Sequence, residues 1–217
     1  VDRVWTAHLW TARLRTVRLR SERLAYDRKV PSFAQRERQA LASLLAELGP
    51  EAPTLCEGWR AADLAAHLVL RDRRPDAAPG MVTKRAPFGP YTERLQRQLL
   101  RSVPWPELLQ MLRQGPPALL RPFDSQVNSV EFFVHHEDLR RAQPGWQPRQ
   151  LAREDEDVLW ARSKSLARFA RRRPARLEAP GREPLVLGPS GPGLKGDVGE
   201  LVMWLMGRTG AARVETV

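Results

Sequence analysis

Glu131-Phe132-Phe133-Val134-His135 carries a carboxylate and an imidazole four residues apart. On a helix that spacing stacks both side chains on one face, one turn apart. His67 lies in Ala61-Ala62-Asp63-Leu64-Ala65-Ala66-His67-Leu68-Val69, a second stretch of helical pattern. Two imidazoles and one carboxylate can hold a divalent cation and leave one position open, as a catalytic site requires. A plainer reading competes: Glu131 and His135 as a helix-surface pair, contributing about 0.2–0.5 kcal/mol, with His67 an ordinary half-buried histidine. The surroundings argue against it. Val127, Val130, Phe132, Phe133 and Val134 make the segment apolar over much of its circumference, which places it inside a bundle where a carboxylate needs a partner.

Other side chains near these positions have open roles. His136 points about 100° away from His135 on a helix, so it reads as a core residue or a support for a ligand rather than a ligand itself. Asp63 and Asp138 stand four before His67 and three after His135; either could hold an imidazole through its second nitrogen, and Asp63 could equally cap a helix. Asn128, one turn before Glu131, either orients the carboxylate, touches substrate or faces solvent. Trp59 reads as a packing anchor. Cys56 has no histidine near it in sequence and reads as a small buried thiol beside Trp59 rather than a nucleophile. His8 is a weak ligand candidate.

Cys56-Glu57-Gly58-Trp59 with Asp63-Leu64-Ala65-Ala66-His67-Leu68, and later Asn128-Ser129-Val130-Glu131 with Phe133-Val134-His135-His136-Glu137-Asp138, resembles the mycothiol-dependent maleylpyruvate isomerase family of the DinB-like superfamily, closest to its actinobacterial metal-binding members. The resemblance runs from about Ser32 to the C-terminus. It implies a mainly α fold, a DinB-like four-helix bundle with a small C-terminal α/β appendage, and a zinc-type site whose ligands carry over onto His67, Glu131 and His135. It also implies mycothiol as co-substrate, with attack of the thiol on a small electrophile giving isomerisation or S-transfer. A functional arginine in the family's C-terminal portion carries over onto Arg208 as a catalytic residue that would bind a substrate carboxylate; a plain helix-end charge is the competing reading. A non-catalytic metal-binding stress-response protein of the same fold is the alternative function.

The 217 residues suffice for one bundle and a small added domain. No apolar run approaches the roughly 20 residues of a membrane span, and arginines at 3, 13, 15, 18 and 20 interrupt any signal-peptide core. With a single cysteine, no intramolecular disulfide can form, which fits a reducing cytoplasm. The formal charge of +11 is concentrated: residues 1–30 hold eight Lys/Arg against three acids, leaving 28 against 22 elsewhere. Clusters at 71–74 and 171–173 fall near expected helix ends, where the helix dipole favours cations. With no helix-turn-helix, zinc-finger or base-stacking motif, charge gives only weak support for nucleic-acid binding. The expected partners are a small thiol and a small electrophile, with the chain a monomer or homodimer.

These residues need elements to hold them. Residues 1–30 read as a basic extension, a misplaced start or an amphipathic helix; 31–173 read as the bundle and 174–217 as the α/β region. Helical spacing predicts helices over 33–48, 61–73, 91–101, 104–114, 125–142 and 153–172, with an irregular Pro-rich crossover at 75–90. Beyond Pro174, 175–179 and 184–187 read as strands, Asp197 caps a helix through Gly207, and 211–217 could return as a strand. Gly188-Pro189-Ser190-Gly191-Pro192-Gly193 lacks the lysine of a phosphate-binding loop and reads as a turn.

Overall fold

The computed structural model describes residues 30–77, 88–121, 124–167 and 175–217. The basic extension up to residue 29, the middle of the crossover and the arginines at 171–173 lie outside that set. Among the described residues the helices are α1 (Phe33–Leu48), α2 (Ala61–Arg73), α3 (Phe88–Ser102), α4 (Trp105–Gln114), α5 (Asp124–Arg141), α6 (Arg153–Ala167) and α7 (Val198–Leu205). A sheet of β1 (Ala175–Glu178), β2 (Leu185–Leu187), β3 (Gly193–Lys195) and β4 (Glu215–Thr216) completes them. The fold is mainly helical, with the small sheet at the C-terminal end. No described helix is long and apolar enough to cross a membrane.

Local chemistry sets the breaks. α1 ends where Gly49, at φ +82°, turns the chain and returns its N–H to Leu45, a left-handed position that glycine adopts without strain. Pro104 leads into α4, whose first turn accepts Pro106 because the missing N–H is unpaired there anyway. Asp197 occupies the N-cap position of α7, but its side chain makes no capping bond. The sheet order is β2-β1-β3-β4, with β1 and β3 parallel and the outer pairs antiparallel. β3 begins inside the segment read as a turn. Gly193 accepts the Val217 N–H at 2.9 Å, and a Cβ there would sit 2.6 Å from the Val217 carbonyl oxygen. Only glycine lets the two backbones meet.

Two apolar cores share α5. On one side Leu41 and Leu45 of α1, Leu64 and Leu68 of α2, and Leu108 and Leu112 of α4 close around Phe132 and Leu139, which makes the four-helix bundle. On the other, Phe133 and Val130 meet Leu159 and Trp160 of α6, Leu177 and Leu194 of the sheet, and Leu201 and Met203 of α7. α7 approaches closely because Gly199 has no side chain: a Cβ would lie 3.1 Å from Phe133. Consecutive phenylalanines therefore point into different cores, and α5 is buried on both sides.

Burial on both sides obliges the polar residues of α5 to find partners. Asp124 and Asn128 join Arg38 and Asp72 at one end. At the other end Glu137 takes Arg140, Arg141 and Arg149, while His136 and Arg149 converge on Glu37. Arg141 continues to Glu200 at 2.8 Å, tying α5 to α7. Glu131 and His135 lie between these two networks, with Asp138 three residues after His135.

Candidate metal centre

α5 presents Glu131 and His135 one turn apart, as their spacing requires, and α2 brings His67 across to them. Glu131 Oε1 lies 3.2 Å from His67 Nε2 and 3.3 Å from His135 Nε2. All three ligand-type atoms fall within 4.8 Å of one another. Atoms bound at about 2.0–2.2 Å around a tetrahedral cation are separated by roughly 3.3–3.6 Å, so the donor set and its spacing fit a divalent metal of the zinc type. The imidazole rings stand edge to face, 5.3 Å between centroids and 72° apart, and the Trp59 ring lies 5.0 Å from that of His67.

The three groups do not ionise alike. Burial pushes the Glu131 carboxyl upward, but hydrogen bonds from His135 and His67, with the Arg71 charge nearby, hold it well below its ordinary range. Burial pushes His67 down; the Glu131 bond opposes this and the His135 charge reinforces it, leaving the ring below its usual value. His135 is also pushed down by burial, yet Asp138, Cys56 and Glu131 together raise it well above its usual value. Without a cation these surroundings favour the charged forms of Glu131 and His135 and disfavour that of His67, and a metal bound to either imidazole would compete with its proton.

Asp138 is fully buried, and its Oδ2 stands 2.9 Å from His135 Nδ1. The two nitrogens of His135 are thus divided, Nδ1 to the carboxylate and Nε2 toward Glu131 and His67. Burial raises the Asp138 carboxyl, but His135 and Arg208 outweigh it and bring it to about 2. Arg208 donates from Nε to Oδ1 at 2.8 Å and from Nη2 to Oδ2 at 2.5 Å. Cys56, His135 and Asp138 also converge closely enough to suggest a second metal group, but there Arg208 already supplies the positive charge and occupies both Asp138 oxygens.

Cys56 differs most from its sequence reading. It is half-buried and lines the cavity; its thiol donates to Asp138 Oδ2 at 3.2 Å, and Sγ lies 3.8 Å from His135 Nδ1. The bond from the Leu55 N–H to the Asp138 carbonyl, 3.0 Å, pins this loop to α5. With Cys56 and His135 separated by 79 positions in sequence, no local pattern could reveal the pairing. Arg71 follows His67 by one helical turn, a spacing the sequence carries, and its Nε lies 3.6 Å from Glu131 Oε1. Asn128 neither faces solvent nor touches Glu131. It donates to Asp72 and Asp124 and accepts from Arg71, so it reaches Glu131 only through that arginine. Asp63 accepts the Arg60 N–H at 3.0 Å, the capping role, and His136 is buried against Glu37. His8 lies outside the described residues.

The triad opens onto a cavity of about 1050 Å³. Trp59 and Asp63 form one wall, Gln96 and Arg97 of α3 another, and Arg208 and Thr209 the third. No protein-family model matches the chain, and no curated protein matches it in sequence. Among solved structures, the crystal structure of a histidine-to-alanine mutant of the mycothiol-dependent maleylpyruvate isomerase matches with a TM-score of 0.54 at 14% identity, over 85% of this chain and 90% of its own. The likeness is a distant one, at the level of the fold.

Proposed function

We propose that this chain binds a divalent metal, zinc by its donor set, through His67, Glu131 and His135, and works as a thiol S-transferase or isomerase on a small electrophile, with mycothiol as the thiol. The observation that carries the reading is the convergence of two imidazole nitrogens and a carboxylate oxygen, within 4.8 Å of one another, at a cavity of about 1050 Å³. A purely structural site is closed, whereas this one faces a space large enough for a thiol and a second small molecule. The mycothiol dependence of the structural neighbour supports the choice of thiol. We propose a cytoplasmic setting and the division into a basic extension (1–30), a bundle (31–173) and a C-terminal region (174–217).

When bound, the metal would lower the pKa of a thiol and favour the thiolate as nucleophile at neutral pH. The protein's own groups prepare the site. Glu131 and His135 are fixed by a helix buried on both sides, and His67 by the packing of α2. The Trp59 ring packs against that of His67, 5.0 Å between centroids. Asp138 fixes the ring orientation of His135 and leaves Nε2 toward the cavity. The cavity, lined by Gln96 and Arg97 of α3 as well as by the triad, then leaves room for the electrophile.

The test is metal analysis of the purified protein, followed by a screen for thiol adducts with small electrophiles. Stoichiometric zinc that is lost in His135→Ala, together with thiol-dependent turnover, supports the reading. Stoichiometric metal without turnover of any thiol would favour the non-catalytic alternative, and no metal would remove both.

A further inference from the structure

We propose that Arg208 is a positioning residue for the metal centre: it clamps Asp138 against His135 Nδ1, so that the segment after α7 completes a site whose ligands all lie on the bundle. The inference rests on the metal-binding reading above and adds a residue from a different part of the fold. It also departs from a role in gripping substrate.

The geometry separates the two roles. A guanidinium binds a carboxylate best through two parallel N–H donors on one edge. In Arg208 the Nε and Nη2 edge is taken by the two oxygens of Asp138, at 2.8 and 2.5 Å. Nη1 donates to the Met206 carbonyl at 2.7 Å, and Nη2 also faces Cys56 Sγ at 3.7 Å. The edge that would bind a substrate carboxylate is therefore directed at the protein. Asp138 in turn gathers Arg208, the Cys56 thiol and His135 Nδ1 around one fully buried carboxylate. Removing the arginine would leave that carboxylate short of its bidentate partner among the described residues.

Arg208 is itself fixed from the C-terminal side. Its N–H donates to the Met203 carbonyl at 2.9 Å, and its own carbonyl accepts the N–H groups of Ala211 and Ala212 at 3.0 and 2.9 Å. Met203 is buried in the core that includes the sheet and α7. Position thus passes from that core through Arg208 to Asp138 and on to His135. A carboxylate behind a ligand imidazole fixes its ring and raises its basicity, and loss of such a support weakens metal affinity by about 10–100-fold.

The experiment measures zinc dissociation constants, by competition with a chromophoric chelator, and the visible spectrum of the cobalt-substituted protein. Both are read for the full chain and for Arg208→Gln, Arg208→Lys, Asp138→Asn and the Arg208→Gln/Asp138→Asn double variant. Arg208→Gln and Asp138→Asn are expected to weaken zinc by about 10–100-fold and to shift the cobalt bands. The double variant should lose little more than the worse single one, because both changes break the same link. Arg208→Lys keeps the charge without the fork and should not restore the cobalt spectrum. Arg176→Gln, an equal change of charge at an exposed position of β1, should leave both readouts unchanged. Thermal melting of the metal-free forms identifies any variant that fails to fold, and Arg208→Lys then carries the test. Wild-type affinity and spectrum in folded Arg208→Gln would overturn the proposal while leaving the metal reading intact. Absence of zinc binding by the wild type would overturn both.

Discussion

Arg38→Met tests whether the buried charge network beneath the metal centre is held by compensation or merely by packing. The Arg38 side chain is 3% exposed, and its carboxylate partners Asp72 and Asp124 are 2% and 4% exposed. It donates to Asp124 at 2.8 and 2.6 Å and to Asp72 at 3.1 Å, with its cationic face 4.3 Å from the Phe132 ring. Methionine keeps an apolar stem against Phe132, so the change removes charge rather than volume. Breaking a buried ion pair from one side costs about 3–5 kcal/mol. At about 2–4 °C per kcal/mol for a unit of this size, the melting temperature should fall by roughly 6–20 °C. The sign of the pH dependence follows. Burial already raises Asp72 despite Arg38, whereas Asp124 is pulled down against burial by Arg38 and Asn128. Without the arginine both folded-state values lie above the unfolded one of about 3.9, so the deficit is full at neutral pH and shrinks as acid protonates the pair. Chemical denaturation at pH 7 and pH 5 measures it. A loss below about 1 kcal/mol, or a deficit that widens toward pH 5, would refute the reasoning.

Three further outcomes follow from the same structure. Cys56→Ser keeps a donor for Asp138 and should retain thiol-dependent turnover; loss of turnover with zinc still bound would move the chemistry to Cys56. Phe132→Ala empties a fully buried position in the bundle core and should cost about 3–5 kcal/mol in urea unfolding, a smaller loss indicating that the core collapses into the gap. Burial raises Glu37 and Glu137, but Arg149 acting on both, His136 on Glu37, and Arg140 and Arg141 on Glu137 bring them below the ordinary value. Their stabilisation is present above the unfolded glutamate pKa of about 4.3 and is lost as pH falls below it; Glu37→Gln should flatten that acid limb of urea midpoints, and an unchanged limb would assign it to other carboxylates.

Legibility in the sequence followed the range of the interactions. Helix limits were readable because Gly49, Pro75 and the Gly115-Pro116-Pro117 run act on their own neighbours, and α1 and α2 occupy the predicted spans. The Glu131 and His135 spacing was readable because a single helical turn creates it. β3 was not: three residues beginning with glycine show no alternation, and its existence depends on pairing with β1 and with residues 215 and 216. Cys56 beside His135, and Asn128 tied to Asp72, were hidden for the same reason. Each pairing is made by two helices or loops meeting, and nothing within either segment encodes it.

The position of α5 explains why so much chemistry collects there. A helix packed on one side can turn its polar residues to water, but α5 has apolar cores on two sides, with Phe132 in one and Phe133 in the other. Its remaining polar side chains must be neutralised within the protein, and beside its own Arg140 and Arg141 the cations come from other elements: Arg38 from α1, Arg149 from the segment before α6, and Arg208 from the segment after α7. Glu131 is the exception. Its contacts are two imidazoles and the more distant Arg71, and it faces the cavity rather than a committed guanidinium. A carboxylate left for imidazoles to share, in a helix that gives its other buried acids dedicated arginines, is the place in this fold where an added divalent cation has most to stabilise.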